Sequence, residues 1–152
     1  MSQKKEMKGR LLAGAAVTDI TPQNPQFLFG YPFVERMSEG THDPLLSSAL
    51  YLSDGNGQAL LISNDVIFVS KASVSRIRRE ISKNTGIQEG NIMVSATHTH
   101  SGPVTVDYVS SSNDPVVPRA DTEYVRYMED KISEAGCAAF QNATPAKVGF
   151  LV

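Results

Sequence analysis

Residues 45–69 read LLSSALYLSDGNGQALLISNDVIFV and carry the clearest fold signal in the chain. Two apolar, β-rich runs, Leu45–Leu52 and Gln58–Val69, are joined by the segment Asp54–Gly57. Its Asp-Gly and Asn-Gly pairs supply the left-handed backbone positions that tight hairpin turns need. The pattern therefore predicts a pair of antiparallel strands.

Further elements are predicted on both sides of this hairpin. Leu11–Ile20 and Asn91–Thr97 have the composition and alternation of strands. A helix is expected to begin after Ser70, which can cap it, and to run to about Asn84. Gly86 then ends the helix.

A second long helix is predicted from Asp121 or Thr122 onward. Its apolar positions recur at helical spacing on one face: Val125, Met128, Ile132, Ala135 and Ala139. Strands that alternate with helices indicate an α/β fold. We predict a mixed sheet with one antiparallel hairpin and two long helices, as an incomplete portion of a larger α/β domain.

The two ends of the chain give separate expectations. Residues 1–10 are expected to be a disordered basic N-terminus, and residues 11–152 to form the N-terminal portion of a larger folded domain. Ala146–Leu151 has a strand pattern in which the chain stops. A sheet left uncovered there predicts self-association, because bare edges and apolar faces associate.

Composition excludes several function classes. The 152 residues are 41% hydrophobic and 20% charged, with a formal net charge of −2. Outside the basic residues 1–10 the chain is mildly acidic, which argues against a nucleic-acid-binding face, and no apolar run reaches the roughly 18 residues of a transmembrane segment. Cys137, the one cysteine, is read as a packing residue and cannot form an intrachain disulfide. A cytoplasmic location fits this, and secretion with a removed leader stays open.

Residues 95–103 read SATHTHSGP and are the best candidate for chemistry. His98 and His100 stand two apart at a predicted strand end, so both imidazoles are expected to face the same side. Neutral imidazole is a common metal ligand. A bare His-x-His is a weak signal, and two surface histidines are the competing interpretation. The concentration here of two of the chain's three histidines favours a metal site.

A longer stretch around these histidines resembles a known family. Residues 91–103, NIMVSATHTHSGP, look like the signature of the amino-terminal domain of the neutral/alkaline, non-lysosomal ceramidases. Other landmarks of that family follow in order: AGAAVTDITP at 13–22, GY at 30–31, GTHDPL at 40–45 and LISND at 61–65. Together they extend the resemblance from about Leu12 to Phe150.

The resemblance implies a zinc-dependent amide hydrolase acting on N-acylsphingosine, another lipid amide or a small amide. It gives His98 the role of zinc ligand and His100 that of a catalytic residue at the substrate. The family's other ligands, a histidine, a glutamate and a tyrosine, come from later in the chain. No histidine follows His100 here, so the Zn²⁺ site is expected to be incomplete in this chain.

Three more residues are candidates for a supporting or rim position. Asp65 ends a predicted strand and is expected either to orient a histidine or to cap the strand end. His42 is read as a loop histidine or a rim residue. Tyr31 is expected either to line the mouth of the site or to pack its loop.

Two other functions compete with this interpretation. A metallo-β-lactamase-like hydrolase needs an aspartate and then a histidine where Gly102 and Pro103 stand, which disfavours it. A catalytically inactive fragment that serves as a folding or interaction module would also explain the missing ligands. Residues 27–34 are expected either to line an apolar channel or to pack on the core.

Overall fold

The computed structural model describes residues 11–107 and 114–149. The strands are β1 Leu12–Asp19, β2 Leu46–Ser53, β3 Gln58–Asn64, β4 Ile92–Ala96 and β5 Thr144–Pro145. They form a five-stranded sheet in the order β4-β3-β2-β1-β5. β3 and β4 are parallel and the other pairs are antiparallel, so the predicted mixed α/β sheet is confirmed.

The hairpin between β2 and β3 is confirmed with a defined register. Leu50 pairs with Leu61 across it. In the turn, the carboxylate of Asp54 accepts the main-chain N–H groups of Asn56 at 2.9 Å and Gly57 at 2.7 Å. The predicted second strand is too long, because β3 ends at Asn64 and the chain turns away from the sheet there.

Two helices cover one face of the sheet. The first, α1, spans Lys71–Thr85 between the Ser70 cap and Gly86, whose φ is 76°. The second, α2, spans Thr122–Gln141 and is capped by the carboxylate of Asp121. In the predicted apolar stripe of α2, Val125 is half-buried. The other four residues are buried: Met128, Ile132, Ala135 and Ala139.

The opposite face of the sheet is uncovered in the described part of the chain. One row of paired residues crosses four strands there and is wholly apolar: Ala15, Leu50, Leu61 and Met93. The last three side chains are exposed. The expected poorly covered face is present, and self-association through it stays a prediction.

The end of the chain differs from expectation. β5 contains only two residues and precedes the predicted position, and residues 146–149 lie in no strand. A single further hydrogen bond, from the N–H of Ala146 to the carbonyl of Leu11, continues the pairing. Pro145 removes one donor from this edge and helps to end the ladder. Residues 150–152, and the N-terminal residues 1–10, lie outside the described residues.

Within the described residues, no helix combines the length and apolar character that crossing a bilayer requires.

An ion pair joins the two helices, between an exposed arginine and a buried glutamate. Arg76 of α1 donates from Nε and Nη2 to the two carboxylate oxygens of Glu129 on α2, at 2.8 and 2.6 Å. The side chain of Glu129 is only 9% exposed. Burial raises its pKa, but the hydrogen bonds from Arg76 and Ser73 lower it, and the net pKa is below its ordinary value of 4.5.

Replacing Arg76 by glutamine tests this pair. The change leaves a buried carboxylate without its cation, and at pH 7 we expect a loss of about 1–3 kcal/mol in the free energy of unfolding. A lowered folded-state pKa means that the stabilisation is complete above about pH 4.5 and is lost as the pH falls through the folded-state value. Urea unfolding at several pH values measures this loss in the free energy of unfolding and its dependence on pH.

The exposed Arg79 of the same helix supplies the matched control. Arg79→Gln should change stability by less than about 0.5 kcal/mol. An Arg76→Gln deficit of equal size at pH 7 and pH 3 would contradict a role for the Glu129 charge.

Candidate functional site

The predicted site residues gather at one edge of the sheet. Asp19 pairs with Leu46, and Ser47 with Asn64, so β1 and β3 end where β2 begins. Asn64 also pairs with Ala96, which brings the end of β4 to the same edge. The segments that leave these strands therefore meet, and sites in α/β folds commonly form at such an edge.

Buried Asn64 fixes the path of the chain out of β4. Its side-chain amide donates to the carbonyl of Ser95 at 2.8 Å, and its main-chain carbonyl accepts a hydrogen bond from the N–H of Thr97 at 2.9 Å. The strand stops at Ala96, so the two histidines lie beyond regular structure.

His98 has a left-handed backbone, with a φ of 64°. This conformation is unfavourable for a residue with a Cβ atom, by about 1–2 kcal/mol. Two hydrogen bonds hold it, from the main-chain N–H to the carbonyl of Val66 and between ring Nδ1 and the carbonyl of Ile67, both at 3.1 Å. Strained residues that surrounding contacts hold in place are typical of functional sites.

The bond to Ile67 also determines the proton arrangement of the ring. A carbonyl oxygen only accepts, so Nδ1 of His98 must carry a proton. In the neutral ring, Nε2 then has a free lone pair. A metal-binding histidine usually has this arrangement, with its other nitrogen donating to a carbonyl or carboxylate.

His100 lies against His98, as the spacing predicts. The ring centroids are 5.2 Å apart and the rings meet edge to face. His98 is exposed and His100 half-buried, so neither ring is lost in the core. Phe68 contacts the other side of His98, with a centroid distance of 5.1 Å. The left-handed turn at His98, rather than a continuing strand, brings the two rings together.

Tyr31 is in direct contact with the histidine pair. Its ring meets that of His100 edge to face at 5.3 Å. The guanidinium carbon of Arg36 lies 4.6 Å from the centre of the Tyr31 ring, and Arg36 Nη1 donates to the carbonyl of His100 at 3.0 Å. Arg36 therefore holds both residues, a role that no sequence motif indicated.

Glycine is required where this loop passes His100. The Cβ of any other residue at position 30 would lie 2.5 Å from Cγ of His100, and φ at Gly30 is 126°. The N–H of the preceding residue, Phe29, donates to the carbonyl of Gly102 at 3.0 Å and holds this loop close to His100.

The side chains of Asp65 and His42 form hydrogen bonds with residues other than the paired histidines. The carboxylate of Asp65 accepts a hydrogen bond from the N–H of Leu46 at 3.0 Å. This is the kind of contact expected of a residue that caps a strand end. Nδ1 of His42 is 2.8 Å from the carboxylate of Asp43, and its side chain is 97% exposed. Both residues line a cavity of about 610 Å³ that includes Thr99 but neither of the paired histidines.

The loop after the histidines contributes Asp114, which no sequence motif identifies as a site residue. Asp114 is buried and accepts the N–H of Phe33 at 2.8 Å and that of Val116 at 2.9 Å. The hydrogen bond from Phe33, then those from Val116 and Val117, hold the pKa of Asp114 below its usual range. Like His98, Phe33 has a left-handed backbone, with a φ of 59°.

The fit to a metal ion is partial. His98 presents a suitably prepared Nε2, and the ring of His100 adjoins it. Within residues 11–107 and 114–149, no three His, Cys, Asp or Glu side chains form a group that could hold an ion.

Alanine at position 30 tests the contact between the loop and His100. The added Cβ should displace the His100 ring, shift its NMR signals and lower the free energy of unfolding by about 1–3 kcal/mol. Gly57→Ala is the control, since its Cβ would meet only Asp54 Oδ1 at 3.8 Å. Unchanged His100 signals in Gly30→Ala would show that the close approach is wrong.

No protein-family model matches the chain. It is 29% identical over 96 residues to a neutral ceramidase of Oryza sativa subsp. japonica and 34% identical over 95 residues to neutral ceramidase B of Dictyostelium discoideum. These matches cover 60% and 59% of the chain, but only 12% and 13% of the relatives.

Two solved structures share the fold. The neutral ceramidase of Pseudomonas aeruginosa matches with a TM-score of 0.77 at 21% identity, and a ceramidase complexed with C2 with a TM-score of 0.76 at 20% identity. Each match covers 90% of this chain and 22% of the other. The chain is thus similar to the neutral ceramidases in both sequence and fold, which confirms the family resemblance predicted from its motifs.

Proposed function

We propose that the histidine edge forms part of the active site of a zinc-dependent amide hydrolase that acts on a lipid amide. The observation that carries the proposal is the Nδ1 contact of His98 with the Ile67 carbonyl, which leaves Nε2 available as a ligand. The similarity to proteins named neutral ceramidases supports the choice of an amide substrate. His98 is the proposed zinc ligand.

Amide hydrolysis needs an activated water and stabilisation of charge on the carbonyl oxygen. A bound zinc ion supplies both by lowering the pKa of water and polarising a carbonyl. His98 would hold such an ion through Nε2. Tyr31 and the hydrogen bond from Arg36 to the His100 carbonyl hold His100 in place. Its ring would transfer a proton to or from the reacting amide, or form a hydrogen bond with it.

The described residues supply only part of the proposed site. A catalytic zinc usually has three protein ligands and an open position, and this edge offers one proposed ligand, His98, with the imidazole of His100 beside it. We propose that residues 11–152 act as the N-terminal portion of a ceramidase-like domain and that another segment or chain supplies the remaining ligands. The competing function, an inactive folding or interaction module, is favoured by the absence of a third ligand among the described residues.

Zinc content and ceramide hydrolysis, measured on the longest polypeptide that the gene encodes, test the proposal. His98→Ala should remove zinc and lower turnover by at least about 100-fold, because a ligand is lost. His100→Ala should retain zinc but lower turnover by about 100-fold or more, as expected for lost proton transfer. The 152-residue chain alone should bind zinc weakly and hydrolyse ceramide poorly.

His42→Ala is the matched control, since the side chain of this third histidine is exposed and contacts Asp43. It should leave zinc content and turnover unchanged. Retention of zinc and activity by His98→Ala would refute the ligand assignment. Absence of both from the longest polypeptide would favour the folding or interaction module.

A further inference from the structure

Large apolar side chains are exposed in residues 31–37, which we call the tip loop. Phe27 and Phe29, just before it, are buried against Ile67 and Val104 in a small second core. Aromatic side chains are therefore buried just before the tip loop and exposed within it. The exposed members and their exposed fractions are Tyr31 49%, Phe33 61%, Val34 45% and Met37 51%.

The base of the tip loop is anchored. The N–H of Leu28 donates to the carbonyl of Arg36 at 2.7 Å, and the N–H of Ser38 to that of Gln26 at 2.9 Å. Phe27 and Met37 form a β-bridge between these bonds. The exposed apolar residues are thus presented by a closed, hydrogen-bonded loop.

The outward position of Phe33 is held at a conformational cost. Aromatic residues rarely take the left-handed backbone that Phe33 has. The buried carboxylate of Asp114, 81 positions away in sequence, accepts the Phe33 N–H at 2.8 Å and stabilises this geometry. A backbone outlier held by a buried charge is a reason to look for a function at the residue it presents.

The charges of the tip loop identify the kind of partner. Glu35 and Arg36 are its only charged residues, so its formal charge is −1 + 1 = 0. The guanidinium of Arg36 is already bound to the His100 carbonyl and stacked on Tyr31. Recognition of anionic lipids depends on clusters of basic residues, which the loop lacks. Tyrosine and phenylalanine are suited to the interfacial layer of a bilayer.

We propose that the tip loop docks onto a zwitterionic lipid bilayer, with Phe33 and Val34 entering the interfacial layer. Tyr31 bridges from this surface to His100, so docking would place the histidine pair beside the membrane. The inference rests on the proposed function, since a lipid amide resides in a bilayer and its carbonyl must reach the histidines.

Flotation of the 152-residue chain with phosphatidylcholine vesicles measures the docking. Phe33→Ser should lower the partition coefficient by about tenfold or more and Val34→Ser by about threefold, as expected for losing buried apolar area. Val17→Ser is the matched control, the same substitution as Val34→Ser at a 58% exposed position on the uncovered sheet face. It should change partitioning by less than about twofold.

Several results would overturn the docking proposal. These are no binding of the wild-type chain to phosphatidylcholine, equal binding by the tip variants, or binding that requires added phosphatidylserine. Dimerisation that Phe33→Ser abolishes, with no vesicle binding, would assign the loop to a second copy instead. If Phe33→Ser unfolds, judged by circular dichroism, Val34→Ser decides the outcome.

Failure of docking and failure of the proposed function are distinguishable. Vesicle binding needs no turnover, so docking without zinc or hydrolysis would contradict only the hydrolase proposal. Hydrolysis of a soluble short-chain amide by the longest polypeptide, without vesicle binding, would contradict only the docking proposal.

Discussion

The antiparallel register between β2 and β3 is the constraint on which the rest of the structure depends. It directs Leu60 and Ile62 toward the helices and Leu61 toward the uncovered face. A slip of one residue would exchange the two faces, because side chains alternate along a strand. The same register brings Ser47 opposite Asn64 and so determines where the sheet ends and the candidate site begins.

From that edge, hydrogen bonds rather than regular structure build the site. Asn64 directs the chain out of β4, and carbonyls of the segment after β3 fix both the backbone and the ring of His98. On the other side, the loop containing Gly30 reaches His100, with Arg36 joining the two. The histidine pair thus has one support from the sheet and one from a loop, and its geometry depends on both.

The regular elements were predictable because local patterns define them. Turn residues, caps and apolar periodicity identified the hairpin and both helices. The His-x-His spacing predicted two imidazoles on one side through strand geometry, whereas the left-handed backbone at His98 brings the rings together. The supports were not predictable. Arg36 and Asp114 act through contacts 64 and 81 residues apart in sequence, and buried Glu129 pairs with Arg76 across 53 positions. Such contacts have no local signal, since the fold alone brings the partners together.

The carbonyl of Ile67 holds the proton of the His98 ring on Nδ1, and the proposed role of His98 as a zinc ligand depends on this contact. Long-range ¹H–¹⁵N correlation of the histidine ring nitrogens, recorded above pH 8 in the absence of metal, tests it most directly. We expect His98 to carry its proton on Nδ1. A His98 ring protonated mainly on Nε2 would contradict this assignment, because no lone pair would then face outward to bind an ion.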